Sequence, residues 1–220
     1  MTSAPPGVIR LSGTESAPRW RGRLLLGALV ASVPAATALA WRDQSPAISL
    51  YATALVGLFA VSAAYHLLSL SPVQRRTMRQ VDHAMIYAYM AAAYTPFCLR
   101  AVGGTLGWVV LSLAWAGCAV GIGIKAFRFR RTRAVAGALY MLLGWLAVVT
   151  VPTVVRNLDL QELVLLCVMG SFYTGGAVAL ATRRPDPAPS VFGYHEVWHA
   201  CVVLACLCYF MAVWGLPGGH

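Results

Sequence analysis

Residues 48–70 read ISLYATALVGLFAVSAAYHLLSL, a run without one Asp, Glu, Lys or Arg. A bilayer core about 30 Å thick is crossed by roughly 20 apolar residues in a helix rising about 1.5 Å per residue. The run is therefore a membrane span. Outward from it, six more stretches meet the same condition: 24–41, 81–99, 106–124, 134–155, 163–181 and 194–216. The reading is an all-α, seven-transmembrane helix bundle. The stretch 81–99 is the least apolar, because its uncharged part begins only at Ala84 and leaves Asp82 and His83 at the membrane boundary. Pro34, Pro96 and Pro152 lie inside these runs, where they would break a soluble helix but are tolerated in a transmembrane one.

Composition points the same way. Of 220 residues, 59% are hydrophobic and 11% charged, against roughly half and a quarter in soluble domains. A core of this size cannot hide so much apolar surface, so the excess faces lipid. The formal net charge of +10 raises the possibility of nucleic acid. The basic residues, however, stand in short clusters between apolar runs, which makes membrane lipids the partners and excludes nucleic acid. With the N-terminus placed inside, only Arg42, Arg100 and Arg156 of the 17 Lys and Arg residues fall outside. The positive-inside rule thus gives a cytosolic N-terminus and an external C-terminus, which requires an odd number of spans.

Residues 1–22 carry Pro5, Pro6, Ser and Gly and little that can pack, and read as a disordered cytosolic segment. Residues 23–216 form the membrane domain and 217–220 an external tail. Arginines followed by an apolar run and Ala38-Leu39-Ala40 have the outline of a signal peptide; the long polar segment in front and the length of the run favour a retained first span. The loop from Arg183 to Pro189 is stiffened by prolines. The spacing of Gly117 and Gly121 marks close helix contact. None of the six cysteines (98, 118, 167, 201, 206 and 208) forms a CxxC pair; they read as small buried hydrophobes.

Ionisable groups in membrane helices are costly and face the bundle interior. Here they gather at one level. His66 ends the second span, Asp82 and His83 begin the third, and His195 and His199 begin the seventh, all on the side the arginines assign to the cytosol. In His195-Glu196-Val197-Trp198-His199 the two imidazoles are four apart, about 6 Å along the axis and on one face. Such a pair can bind one metal ion, His66 has the depth of a third ligand, and Ser62 lies one turn deeper on the same face. Three nitrogens and a water make the open tetrahedral set of catalytic zinc, beside which Asp82 is a carboxylate partner. The alternative is that each histidine is an interhelical hydrogen-bond partner, since i,i+4 pairs recur by chance.

The blocks Ser62-Ala63-Ala64-Tyr65-His66, Val81-Asp82-His83-Ala84-Met85-Ile86-Tyr87, Ala93-Tyr94-Thr95-Pro96-Phe97 and His195-Glu196-Val197-Trp198-His199 resemble the hemolysin III family. That family is the bacterial branch of the progestin and adipoQ receptor group and is similar at its motifs to alkaline ceramidases. The resemblance covers about residues 20 to 215. It implies seven helices with a cytosolic N-terminus in a bacterial plasma membrane. It also implies zinc on His66, His195 and His199, with Ser62 and Asp82 around the bound water. Ala92-Ala93 stands where many members have Ala-Gly. His83 matches the motif but is left out of the ligand set. The expected function is a zinc-dependent intramembrane hydrolase of lipid amide or ester bonds. The alternatives are a non-enzymatic membrane-homeostasis, sensor or cytolysin-like protein with structural zinc, and a bis-histidine haem carrier, for which an i,i+4 pair on one face is poorly arranged.

Overall fold

A computed structural model describes residues 20–126 and 133–216. Residues 1–19 of the segment 1–22 expected to be disordered, the expected external tail 217–220, and part of the basic cluster at 125–133 lie outside the described residues. The helices are α1 (Arg23–Arg42), α2 (Pro46–Leu67), α3 (Pro72–Pro96), α4 (Gly104–Ala126), α5 (Arg133–Trp145), α6 (Val151–Asn157), α7 (Leu160–Thr182) and α8 (Tyr194–Gly215). A π-helical turn, Phe97–Val102, continues α3, and a 3₁₀ segment, Leu146–Thr150, joins α5 to α6. No strand occurs among the described residues.

Six helices are long and apolar enough to cross a membrane: α1, α2, α4, the composite Gly137–Asn157, α7 and α8. Helix α3, which the sequence marked as weakest, is the seventh member of the bundle and lies between α2 and α4. It begins nine residues before the apolar stretch 81–99. Ser71 Oγ accepts the Gln74 N–H at 3.4 Å, Gln74 Oε1 accepts the Ser71 N–H at 3.0 Å, and Pro72 follows the cap, a combination that starts a helix whatever the hydropathy. Its first turns, with Arg75, Arg76 and Arg79, are exposed.

Both irregular segments sit at prolines. Pro96 has no N–H to donate, and the chain widens into the π turn directly after it. Pro152 stands at the start of α6, and the turn before it tightens to 3₁₀. The backbone stays helical in type throughout, as a span in hydrocarbon requires.

The surface is inverted relative to a soluble protein: Leu142 is 70% exposed, Val30 67% and Trp108 62%. These side chains face the lipid. The interior holds Leu55 and Phe59 of α2, Tyr89 and Tyr94 of α3, Val110 of α4 and Tyr209 of α8. Where helices touch, small residues allow it: a Cβ on Gly117 would lie 2.6 Å from Leu143, and one on Gly121 2.5 Å from the Tyr87 ring. The cysteines are all free. Cys98, Cys118 and Cys206 are buried, whereas Cys167 is exposed, which corrects its reading as a buried hydrophobe: in a bilayer an apolar position need not face inward.

At the end opposite the histidines, Arg100 clamps the α1–α2 connection. Its Nη1 and Nη2 donate to the two carboxylate oxygens of Asp43, the second at 2.9 Å, and Nη2 also donates to Ser45 Oγ at 2.7 Å. The side chains are only 10% and 12% exposed. The hydrogen bonds from Arg100, against the opposing effect of burial, hold the Asp43 carboxyl well below the usual carboxylate range. A carboxyl so depressed contributes stability that is complete above its unfolded pKa, about 4, and is lost as pH falls through the folded value. Asp43→Asn should therefore lower the thermal midpoint of the detergent-solubilised protein by a constant amount between pH 7 and 5. The gap to wild type should close progressively below about pH 4.

Candidate metal centre

Helices α2, α3 and α8 carry the candidate residues, and each helix is set locally. Ser45 caps α2 through the Ile48 N–H at 3.4 Å, with Pro46 in its first turn. The first turn of α8 is fixed by Glu196, whose Oε2 accepts the Gly193 N–H at 3.0 Å, and by Asp186, whose Oδ1 accepts the Tyr194 N–H at 2.9 Å. Asp186 belongs to the proline-rich loop, so that loop anchors the start of the HxxxH helix.

These helices bring His66, His195 and His199 together, with one ligand nitrogen from each ring lying within 4.8 Å of the others. The ring centroids are 5.4 Å apart for His66 and His195, 4.9 Å for His66 and His199, and 4.6 Å for His195 and His199. All three pairs meet edge to face. His199 is buried, and its Nε2 has no hydrogen-bond partner among the described residues. A buried polar atom without a partner calls for an ion, water or ligand. A tetrahedral ion with metal–nitrogen bonds of about 2.0–2.1 Å needs nitrogens about 3.4 Å apart, which small ring rotations supply. Donor type, convergence and the orphaned nitrogen all fit a metal.

Asp82 is buried, and its charge is within electrostatic reach of His66 and His195. Ser62 is buried one turn from His66 on α2. His83 stands outside the three-imidazole group. Its Nδ1 is 3.4 Å from Asp82 Oδ2 without forming a hydrogen bond, so its ring turns toward the carboxylate rather than away from it. The backbone carbonyl of His83 accepts the Tyr140 hydroxyl at 2.7 Å, and Tyr140 stacks on Tyr87 at 4.1 Å.

Two charged residues beside the site escaped sequence reasoning. Glu196 is 1% exposed, and Arg21 Nε donates to its Oε1 at 3.0 Å. A carboxylate inside an apolar span demands a partner; that signal was present, but nothing local pointed to residue 21, which is 175 positions away. Trp20–Gly22, included in the disordered segment by sequence, instead form a turn whose Trp20 N–H donates to the Val191 carbonyl at 3.1 Å.

Residues 22–210 match the model of the family described as haemolysin-III related. The chain is 29% identical over 157 residues to hemolysin-3 of Bacillus cereus, covering 71% of this chain and 68% of that one. It is 29% identical over 133 residues to a hemolysin-3 homolog of Bacillus subtilis strain 168, covering 60% of each, so the match spans less than two thirds of that relative. To the human monocyte to macrophage differentiation factor it is 27% identical over 174 residues, 75% of this chain and 68% of that protein. An all-helical membrane bundle with three histidines gathered at one end defines a class of polytopic membrane protein. Within that class, this chain belongs to the haemolysin-III related family.

Metal analysis of the purified protein should find one equivalent of bound divalent ion. His199→Ala should weaken its retention by more than the 10–100-fold that follows loss of an outer-shell partner, measured by competition with a zinc chelator.

Proposed function

We infer that the protein is a zinc-dependent intramembrane hydrolase acting on an amide or ester bond of a lipid. The observation that carries the reading is the convergence of three imidazoles, one with a buried bare nitrogen, beside a buried carboxylate. His66, His195 and His199 would hold the ion, which when bound lowers the pKa of water and polarises a carbonyl. Three protein ligands leave a fourth position open, the arrangement of catalytic sites as opposed to closed structural ones.

The chain's own groups supply the proton traffic. Asp82, buried beside the imidazoles, accepts the proton of the attacking water and returns it to the leaving amine or alcohol. Ser62, one turn from His66, orients that water or donates to the oxygen on which negative charge develops. Glu196 is bonded through its two oxygens to Arg21 and to the Gly193 N–H; its part is to hold the ligand helix. The arginine distribution puts this end of the bundle at the cytosolic leaflet, where a substrate can present its polar linkage while its acyl chains remain among the helices.

The names of the two Bacillus relatives, hemolysin-3 and a hemolysin-3 homolog, favour a second reading, a cytolysin-like protein in which the ion only staples α2 to α8. One experiment separates them. Zinc-loaded protein is assayed against a panel of lipid amides and esters, beside Asp82→Ala. The hydrolase reading expects turnover that falls about 10²–10⁴-fold in the variant while the metal content stays at wild-type level. No turnover on any substrate, together with loss of the fold on chelation, would assign the ion to the staple.

A further inference from the structure

Trp20, Arg21 and Gly22 form a strap that reaches two of the helices bearing the histidines. Gly22 has φ 82, a left-handed conformation that favours glycine. It also lies flat on the end of α2: a Cβ there would come within 2.9 Å of the His66 Cβ and 2.8 Å of the Leu67 Cγ. Arg21, next to it, reaches α8 through Glu196 at 3.0 Å. The backbone bond from Trp20 to Val191 fixes the strap to the loop in front of α8. Three separate contacts thus hold the guanidinium in place, within electrostatic reach of all three imidazoles.

The way Arg21 is held leaves a defined part of it over. A guanidinium has five N–H donors in a planar fork. Among the described residues only the Nε–H has an acceptor, and the side chain is 35% exposed. Both Nη groups remain for something else. A fork pinned through Nε and open at Nη suits two oxygens of one phosphate or carboxylate, and a Lys ammonium would not reproduce it. Glu196 already neutralises the charge, so a second anion is recruited by geometry and not by bare attraction.

We propose that Arg21 is the anion-recognition residue at the mouth of the histidine group. It receives the phosphate or carboxylate head group of a lipid whose polar linkage lies at His66, His195 and His199. The inference rests on the reading of that group as the reaction site and narrows its substrates to anionic amphiphiles.

The test uses the full chain in detergent and native mass spectrometry, with dilauroyl phosphatidic acid, dilauroyl phosphatidylcholine and inorganic phosphate as probes. Wild type should prefer phosphatidic acid to phosphatidylcholine. Arg21→Gln should cut that preference roughly tenfold or more, the scale of a lost charge-assisted bidentate contact. Glu196→Gln keeps the fork and one neutral acceptor oxygen for the Arg21 Nε–H, giving up the bond to the Gly193 N–H, and should retain the preference. Arg21→Gln/Glu196→Gln, which strands no carboxylate, should lose it even where Arg21→Gln alone folds poorly. The triple variant Arg75→Gln/Arg76→Gln/Arg79→Gln removes exposed charge on α3 and should change the preference little. An undiminished preference in both Arg21 variants, or its disappearance in the triple variant, would overturn the proposal. Inorganic phosphate that binds through Arg21 while the lipids show no preference would overturn the lipid assignment in favour of a free anion. Metal analysis of the same wild-type preparation separates the two readings: a head-group preference in wild-type protein that retains no zinc leaves Arg21 standing and the hydrolase reading without its ion.

Discussion

Hydrocarbon offers no hydrogen bonds, and most of this molecule follows from that. Each span must satisfy its own backbone, so the chain is helical even where Pro96 and Pro152 force it into π and 3₁₀ turns. Each ionisable side chain must find a partner or reach water, so these groups cannot be scattered through the bundle. They collect at its two ends. One end is closed by the Arg100–Asp43–Ser45 clamp. The other holds three imidazoles, two buried carboxylates and a guanidinium. In the first cluster the three side chains are bonded to one another. The second brings three ligand nitrogens together, and the Nε2 of His199 has no hydrogen-bond partner among the described residues; that convergence separates a structural cap from a place where chemistry can happen.

The bundle was legible in the sequence because its signal is the simplest there is, apolar length. Six of the seven runs reappear as helices of spanning length and hydropathy. The weakness of the seventh was legible too, in the late start of its uncharged part at Ala84. What hydropathy could not show was that α3 begins at Pro72, since a capping box acts through hydrogen bonds and not through polarity. The convergence of His66, His195 and His199 was accessible because helical periodicity fixes the face of the HxxxH pair and the arginine distribution fixes the level of the third residue.

The strap was not legible. Arg21 and Gly22 lie in a segment whose composition is that of a flexible tail, and composition reports only what a segment can bury by itself. Here burial is supplied from outside, by Glu196 and by the end of α2. Contacts between residues 175 positions apart leave no periodic trace in a single sequence. The turn of His83 toward Asp82 escaped for a related reason: spacing on a helix gives the direction of the Cα–Cβ bond, whereas the rotamer beyond it is set by the neighbours.

The stack of Tyr87 on Tyr140 joins parts of the molecule that hydropathy treats as unrelated. Tyr87 lies against Gly121, where no side chain larger than hydrogen fits, and Tyr140 reaches from α5 to the peptide carbonyl beside Asp82. The depth at which α4 can approach thus governs the tilt of two phenol rings, and through one hydroxyl the seating of the turn that carries the carboxylate. A single methyl group added at position 121, on a helix that contributes nothing to the histidine cluster, would be transmitted to it as a displacement of α3.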